Sequence, residues 1–405
     1  MSADRPLADL KVLDLMWAIA GPTVTRSLAD YGATVVRVET ARRVDVCRTI
    51  GPFLTLPPGT EDSALFHNMN LGKYMLTLDL STADGRAVLL DLVRWADVVA
   101  EAFAPGVMRA RGLDYDTLRQ VKPEIIMLST CLMGQTGPLA SFAGFGNLAA
   151  AVVGFTHLCG WPDRAPAGPF GAYTDYIAPR FAVAAILAAV DHLRRTGEGQ
   201  WIDLSQAEAS LQFLAPAVLD YTVNGRVQNR TGNRDPHVAP HGVYPTAGED
   251  RWIALAVQSD EQWGALCTAM QRPDLQADAR FATYAGRQQG HEQLDAEIAA
   301  WTAARDGDAI EAELQAQGIP ASVVQDSADL CRDPQLQHRE HFVRVAHPTH
   351  GHTTVENSRF RLSRTPARMA ETAPTLGRDN QYVLESILGY GEQRISELAV
   401  SGALG

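Results

Sequence analysis

The chain has 405 residues, of which 46% are hydrophobic and 20% charged, and its formal net charge at pH 7 is −12. This composition is typical of a globular chain large enough for two domains. The acidic balance argues against a nucleic-acid or anionic-membrane partner, because both demand a basic surface. No run approaches 18 apolar residues, and the start MSADRPLADLK has neither the basic nor the apolar region of a signal peptide, so we expect a cytoplasmic protein.

The five cysteines are far apart and form no C-x-x-C pair; they are Cys47, Cys131, Cys159, Cys267 and Cys331. Neither a disulfide framework nor a zinc site is therefore indicated. Most histidines occur singly, and no set has the spacing of metal ligands. We expect no metal site and no permanently bound cofactor.

Two apolar runs frame the first predicted unit of structure. Residues 11–15 and 34–39 are predicted strands, and an amphipathic stretch between them ends at Tyr31 and is followed by Gly32. A strand, a helix with glycine just beyond its end and a second strand make a βαβ unit, which indicates a parallel sheet. No G-x-G-x-x-G fingerprint follows the first strand, so a ribose-binding role for Glu39 is weakly supported.

The next segments continue the alternation of strand and helix. We expect residues 40–62 to be irregular, residues 70–80 a turn and strand, 85–96 a helix, and 98–100 a strand. The loop 101–106 then lies at the carboxyl end of a strand, where ligands gather in open α/β sheets.

Residues 177–193 are predicted as a buried helix, because large apolar residues recur at helical spacing and alanine fills the tight positions. Asp175 precedes this helix and follows a glycine-containing turn. The simplest interpretation is a helix cap, in which the carboxylate accepts the free N–H groups of the first turn. Pro179 then lies in the first turn, where its missing N–H needs no partner.

Several motifs, taken in order, resemble those of the class III coenzyme A transferases. They are VLDL at 12–15, AGP at 20–22, LADYGATVVRVE at 28–39, the glycine turn and Asp175 before an alanine-rich helix, TGEGQ at 196–200, and VLESILGYG at 383–391. The resemblance covers nearly the whole chain and is closest to the benzylsuccinate CoA-transferase branch. It implies a Rossmann-like α/β domain with an open parallel sheet, a smaller α+β domain, and an interlocked homodimer.

The resemblance also implies a division of the chain. We expect residues 1–223 and 330–405 to form the large CoA-binding domain and residues 236–329 the small one. Residues 224–235, rich in asparagine, glycine and arginine, are the expected linker.

By the same resemblance, Asp175 is a nucleophile that takes an acyl group from CoA. A carboxylate nucleophile forms an acyl-aspartyl anhydride, whose splitting by the CoA thiolate re-forms a thioester. We expect the turn 168–172 to supply N–H donors to the tetrahedral intermediates. The resemblance favours succinyl-CoA as the donor and a dicarboxylate or aromatic acid as the acceptor.

The resemblance assigns two further groups of residues. The expected CoA contacts are Ile19, Ala20, Arg42, Lys73, Leu78, Asp79, Leu80, Ala102, Phe103, Ala104, Gly144 and Phe145. Ala102 stands where relatives have an asparagine, and Lys73 has a solvated turn position as its alternative. The expected acceptor-side residues are Arg234, His237 and His241, which are otherwise solvated linker residues.

Two alternatives to a transferase stay open. An α-methylacyl-CoA racemase of the same fold family pairs the aspartate with a histidine, whereas this chain has Phe145 at the matching position. A non-catalytic CoA-binding subunit that pairs with an active homologue is the other alternative, and the presence of Asp175 argues against it.

Overall fold

A computed structural model of the chain describes residues 5–369 and 372–405. The described residues form two compact units. The first takes in the residues up to Thr156, Gly168–Val227 and Gln335–Gly405, and the second takes in His157–Ala167 and Gln228–Pro334. The division into a CoA-binding domain and a small domain at the expected linker stays a prediction.

The strands are β1 (Lys11–Leu15), β2 (Thr34–Glu39), β3 (Tyr74–Thr77), β4 (Val98–Glu101), β5 (Ile126–Cys131), β6 (Trp201–Ser205), β7 (His241–Pro245), β8 (Trp252–Ala256), β9 (Ala321–Val323), β10 (Phe342–His347) and β11 (Gly351–Glu356). The α-helices are α1 (Ala20–Asp30), α2 (Ala64–Met69), α3 (Ala83–Trp95), α4 (Val107–Ala110), α5 (Tyr115–Val121), α6 (Gly146–Val152), α7 (Phe155–Leu158), α8 (Tyr173–Thr196), α9 (Gln206–Leu211), α10 (Ala215–Asn224), α11 (Asp260–Ala269), α12 (Pro273–Ala277), α13 (Tyr284–Gln289), α14 (His291–Thr302), α15 (Gly307–Ala316), α16 (Ser327–Arg332), α17 (Pro334–His338), α18 (Asn380–Tyr382) and α19 (Glu392–Val400). Short 3₁₀ turns lie at Val46–Thr49 and Gln212–Leu214, and a π-helical turn lies at Val383–Ile387.

The first unit is built on a six-stranded sheet in the order β3-β2-β1-β4-β5-β6. All neighbouring strands in it are parallel. The strands β1 and β4 are buried along nearly their whole length, as expected when helices cover both faces of a parallel sheet. The strand order reverses direction between β1 and β4, so their carboxyl ends frame the crevice where doubly wound folds bind ligands. The predicted fold class, an α/β protein with an open parallel sheet, is confirmed, and the interlocked dimer stays a prediction.

Helix α8 is longer than the sequence pattern predicts. It runs from Tyr173 to Thr196 and is capped by Gly197, which adopts the left-handed conformation. Pro179 therefore lies inside the helix rather than in its first turn. By length and apolar composition α8 could span a membrane. One of its faces is buried in a core that includes Ala182, Ile186 and residues of β1, β4 and β5.

The chain returns to the first unit after α17 and completes its outer edge. Strand β3 is the last in the sheet, and the side chains of Asp379 and Asn380 accept hydrogen bonds from the backbone N–H groups of Met75 and Thr77, both at 2.8 Å. These side chains satisfy donors that an edge strand otherwise leaves open for another chain. The antiparallel hairpin of β10 and β11 packs on α2.

The second unit contains the antiparallel sheet β7-β8-β9. Helices α11, α14 and α15 supply residues to its core, which includes Ile253, Leu266 and Ile310. The buried hydroxyl of Tyr244 donates to Asp295 at 2.7 Å, so the one polar atom of that ring has a partner. This unit is the smaller α+β domain that the sequence predicts.

Candidate active site

Two adjoining cavities open at the carboxyl ends of the central strands in the first unit. One, of about 600 Å³, contains Asp175 in its wall and is called the Asp175 cavity below. The other, of about 790 Å³, contains Arg86 and Arg111 and is called the arginine cleft. The walls of both include Trp17, Arg43, Ala102 and Ala104, so the two cavities lie side by side.

The Asp175 carboxylate is held differently from a helix cap. Helix α8 has Ala172 as its N-cap, without a capping side chain, and Asp175 lies within the first turn. Its carboxylate accepts a hydrogen bond from the backbone N–H of Gly146, the first residue of α6. The cap interpretation is therefore wrong, because the carboxylate is bound by a neighbouring helix rather than by its own.

Burial dominates the chemistry of this carboxylate. Asp175 is only 6% exposed. Burial raises its pKa to about 6, although the hydrogen bond from Gly146 acts in the opposite direction. The group is thus ionised at neutral pH, but it is less well solvated than a surface aspartate. The backbone carbonyl of Asp175 also lacks the usual helical hydrogen bond, because Pro179, four residues later, has no N–H to donate.

Gly146 is the residue that allows this arrangement, and the sequence analysis did not connect it with Asp175. A β-carbon at position 146 would lie 2.7 Å from the Asp175 carboxyl carbon, closer than packed atoms tolerate. The hydroxyl of Thr174 also donates to the Gly146 carbonyl at 3.0 Å. Adjacent residues of α8 therefore bind both backbone polar groups of one glycine.

Most of the expected CoA contacts lie on these cavity walls. Those in the arginine cleft are Leu78, Asp79, Leu80, Ala102, Phe103 and Ala104. Those in the Asp175 cavity are Ala20, Ala102, Ala104, Gly144 and Phe145. The structure brings together segments from four separate strand ends, which is what the resemblance implies. Their contact with CoA stays a prediction.

Two of the expected contacts lie beside the walls rather than on them. Ile19 is the N-cap of α1 and packs against a small core around Phe66. Arg42 pairs with Asp79 at 2.7 Å and is largely exposed. Its neighbour Arg43 lies on the walls of both cavities, with its guanidinium over the Trp17 ring at 5.5 Å.

The structure places Lys73 in an environment that the sequence analysis did not predict. It is neither a solvated turn residue nor on a cavity wall, because it is only 1% exposed. Its ammonium group donates to the Asp14 carboxylate at 2.9 Å, to the Pro22 carbonyl at 3.0 Å and to the Asn70 side chain at 2.9 Å. These three bonds use all of its donors, so Lys73 has none left for a phosphate.

Three arginines of the arginine cleft have no ion-pair partner, because the two acids of its wall, Glu39 and Asp79, pair with other arginines. Arg43, Arg86 and Arg111 form no ion pair with a carboxylate in the described part of the chain. Arg111 lies over the Phe103 ring at 6.0 Å. In a chain of net charge −12, three unpaired guanidinium groups around one cleft make a local site for a polyanion.

Glu101 fixes the loop that separates the two cavities. This residue ends β4, is 2% exposed, and accepts a hydrogen bond from the backbone N–H of Phe103 at 2.8 Å. Burial raises its pKa to about 7, against the effect of hydrogen bonds from Ser129 and Phe103. The sequence analysis placed the loop at this edge but did not identify the glutamate as its anchor.

The expected acceptor-side residues lie in the second unit. Arg234 is 3.9 Å from Glu292, His241 contacts the Asn233 carbonyl through Nδ1 at 2.5 Å, and the backbone N–H of His237 donates to Asp235 at 2.7 Å. Their role in acceptor binding stays a prediction. Among residues 5–369 and 372–405, no cluster of three or more histidine, cysteine or acidic side chains has the geometry of a metal site.

An open parallel sheet with a cavity at its switch point defines a doubly wound α/β fold of the kind that binds ligands at that edge. The model of CoA-transferase family III matches residues 7–380, so the chain belongs to that family and is a CoA transferase. The family resemblance seen in the sequence is thereby confirmed.

Individual relatives are similar over nearly their full lengths. The chain is 34% identical to a succinyl-CoA–D-citramalate CoA-transferase of Chloroflexus aurantiacus, over 97% of each chain. It is 33% identical to a succinate–glutarate CoA-transferase of Agrobacterium fabrum, over 94% of this chain and 96% of the relative. Among solved structures, a CaiB/BaiF family protein from Brucella suis superimposes with a TM-score of 0.88 at 32% identity, covering 95% of this chain and all of the other.

We predict that Gly146→Ala destabilises the protein by about 1–3 kcal/mol, because the new methyl group forces Asp175 or α6 to move. Chemical denaturation gives this difference. Gly264→Ala is the matched control inside α11, since its added methyl group meets only the flexible end of the Gln276 side chain. Equal stability of Gly146→Ala and wild type would contradict the close approach.

Proposed function

We propose that this cytoplasmic enzyme moves CoA from succinyl-CoA to a dicarboxylic acid, with Asp175 as the nucleophile. The observation that carries the proposal is the buried Asp175 carboxylate in the wall of a cavity that adjoins the arginine cleft. The named activities of the relatives support both substrates, since they pair succinyl-CoA or succinate with D-citramalate or glutarate. No general base is needed, because a carboxylate is already deprotonated above its pKa.

The transfer is balanced without any other reactant. A carboxylate oxygen of Asp175 attacks the thioester carbonyl, the C–S bond breaks, and CoA leaves as a thiolate. The thiolate then attacks the aspartyl carbonyl of the anhydride, which releases succinate and leaves CoA on Asp175 as a thioester. The acceptor carboxylate attacks that thioester, and a second thiolate attack on the acceptor's carbonyl gives the new acyl-CoA and restores Asp175.

The two cavities suit the two ends of CoA. The phosphates and nucleotide carry the negative charge, and the arginine cleft offers Arg43, Arg86 and Arg111. The thioester group carries no charge, and we assign it to the Asp175 cavity because the nucleophile lies there. We infer that the pantetheine chain passes between them along the wall formed by Ala102 and Ala104.

The racemase alternative receives no support from the cavity. Phe145 stands in the wall of the Asp175 cavity and is 63% exposed. An aromatic hydrocarbon cannot take or give a proton, so the second base of a racemase is missing at that position.

We predict that Asp175→Asn is folded and inactive. The substitution removes the nucleophile, so turnover falls to background while CoA binding persists. At neutral pH the variant is at least as stable as wild type, because the raised pKa means that the buried charge opposes folding. Product formation by mass spectrometry and chemical denaturation measure the two effects. Near-normal turnover by the variant would overturn the proposal.

The pH dependence of kcat/KM tests the role of Asp175 in the wild-type enzyme. Since attack requires the ionised carboxylate, kcat/KM falls about tenfold for each pH unit below about pH 6 and is flat above it.

Hydroxylamine added with acyl-CoA converts the acylated residue to a hydroxamate, which appears as a mass change on the tryptic peptide spanning residues 165–180. Labelling of another acid instead would show that Asp175 is not the nucleophile.

We predict that Arg86→Gln and Arg111→Gln each weaken CoA binding about tenfold to a hundredfold, because each removes a charged donor worth about 1.5–3 kcal/mol. Titration calorimetry with CoA at low and high salt measures the loss, which shrinks as salt screens the phosphates. Arg109→Gln is the matched control, since this nearby residue is exposed and pairs with Asp114 at 3.1 Å. Unchanged affinity in both cleft variants would exclude the cleft as the phosphate site.

We propose further that the enzyme is an interlocked homodimer. Large apolar side chains stay exposed from α9 through α10; they are Leu211, Phe213, Val218, Leu219, Tyr221 and Val223. Large apolar side chains exposed in such number along one stretch of chain are typical of a protein interface.

We predict a particle of twice the 43.9 kDa chain mass by light scattering after size exclusion, at all concentrations at which the protein stays folded. An interlocked pair cannot separate without unfolding, so the unfolding midpoint rises with protein concentration. A folded monomer at low concentration would rule out interlocking.

A further inference from the structure

The wall of the Asp175 cavity contains one cationic side chain among the described residues, and it belongs to Arg43. Every other side chain of that wall is uncharged, apart from Asp175 itself. No cation acts on the Asp175 carboxylate, whose pKa is set by burial and by the Gly146 N–H. The cavity therefore combines one buried anion with one arginine that no acid of the described chain neutralises.

Arg43 is held in place from two directions. Its guanidinium lies over the Trp17 ring at 5.5 Å, and its backbone N–H donates to the Thr40 carbonyl at 3.3 Å. The buried Asp45 anchors both partners of the stack, because it follows Arg43 by two residues and accepts from the N–H of Ala18, the residue after Trp17. A guanidinium stacked on an aromatic ring keeps the N–H groups along its edge free, and two of these match the two oxygens of a carboxylate.

The other arginines nearby cannot serve the Asp175 cavity. Arg86 and Arg111 lie in the wall of the arginine cleft and not in that of the Asp175 cavity. Arg42, next to Arg43 in sequence, pairs with Asp79 at 2.7 Å. Of the three cleft arginines without an acidic partner, Arg43 alone also lies in the wall that contains the nucleophile.

The charge of the acyl group indicates what Arg43 binds. The proposed function puts the thioester at Asp175, and a succinyl group carries a second carboxylate at its far end. Two carboxylates in a cavity shielded from water repel each other more strongly than they do in water, and an unpaired charge there is unfavourable. The far carboxylate thus needs a cation, and Arg43 is the one that the described wall offers.

We propose that Arg43 binds the distal carboxylate of the succinyl group and so selects acyl groups that end in a carboxylate over those that end in a methyl group. The inference rests on the proposed function and deepens it by naming the residue that recognises the acyl group. Because CoA transfer is reversible, the acyl group of the product occupies the same position. One residue therefore recognises both acids.

The test isolates the donor half of the reaction. Hydroxylamine replaces the acceptor acid, and the release of CoA is followed by mass spectrometry, with the rate of Asp175→Asn subtracted as background. The donors are succinyl-CoA against butyryl-CoA and glutaryl-CoA against pentanoyl-CoA, because each pair differs only in a carboxylate or a methyl end. Wild type should favour the carboxylate donor in kcat/KM by about tenfold to a hundredfold, as expected for a charge-assisted hydrogen bond.

Arg43→Gln should bring that ratio close to one by lowering kcat/KM for the carboxylate donors, while kcat/KM for butyryl-CoA stays near the wild-type value. Arg86→Gln is the matched cleft variant and should lower kcat/KM for both donors of a pair alike, which leaves the ratio unchanged. Arg109→Gln removes an exposed side chain that pairs with Asp114, and it should change neither value.

An equal loss for both donors in Arg43→Gln would overturn the inference, because it would show that Arg43 binds a phosphate or supports the fold. Wild type that does not distinguish the two donors of a pair would overturn it as well. Wild type that releases CoA from these donors no faster than Asp175→Asn would instead refute the proposed function.

Discussion

Three buried acids and three buried basic side chains lie beneath the loop that follows β1. Its members are Asp14, Glu39 and Asp45 with Arg37, Arg48 and Lys73, all at most 2% exposed. Arg37 donates to the Met16 carbonyl at 2.7 Å, and Asp45 accepts from the Ala18 N–H at 3.0 Å, where the backbone is left-handed. Charges taken out of water are tolerated only when paired, so the loop cannot shift without unpairing one of them. Both cavities depend on this constraint, because Trp17 lies in the wall of each.

These buried charges also show which features of the structure the sequence could predict and which it could not. Strands β1 and β2 follow from apolar runs, and the predicted bounds match the structure. Lys73 was assigned to the wrong environment because a lone charged residue in a turn is usually solvated, and its partner Asp14 lies 59 positions away. Local patterns report which residues prefer burial, but they do not report which distant charges pair.

Asp175 shows a similar limit at the scale of a single helix. An acid after a glycine turn favours a cap by local chemistry, and that interpretation holds only if the helix starts where its apolar pattern starts. Helix α8 starts four residues earlier, at Tyr173, and so Asp175 faces α6. The family resemblance identified the residue, whereas the hydrogen bond from Gly146 depends on how two helices pack. No pattern within residues 168–210 contains that information.

The polar groups of the site follow a rule that the parallel sheet imposes. Each central strand is apolar where helices cover it and carries a polar residue near its carboxyl end: Glu101 at the end of β4, Thr130 near the end of β5 and Gln206 just after β6. Glu101 is satisfied within the protein by the Phe103 N–H, while Thr130 and Gln206 are not. Glu101 therefore holds the loop after β4 in place at the edge where the cavities open.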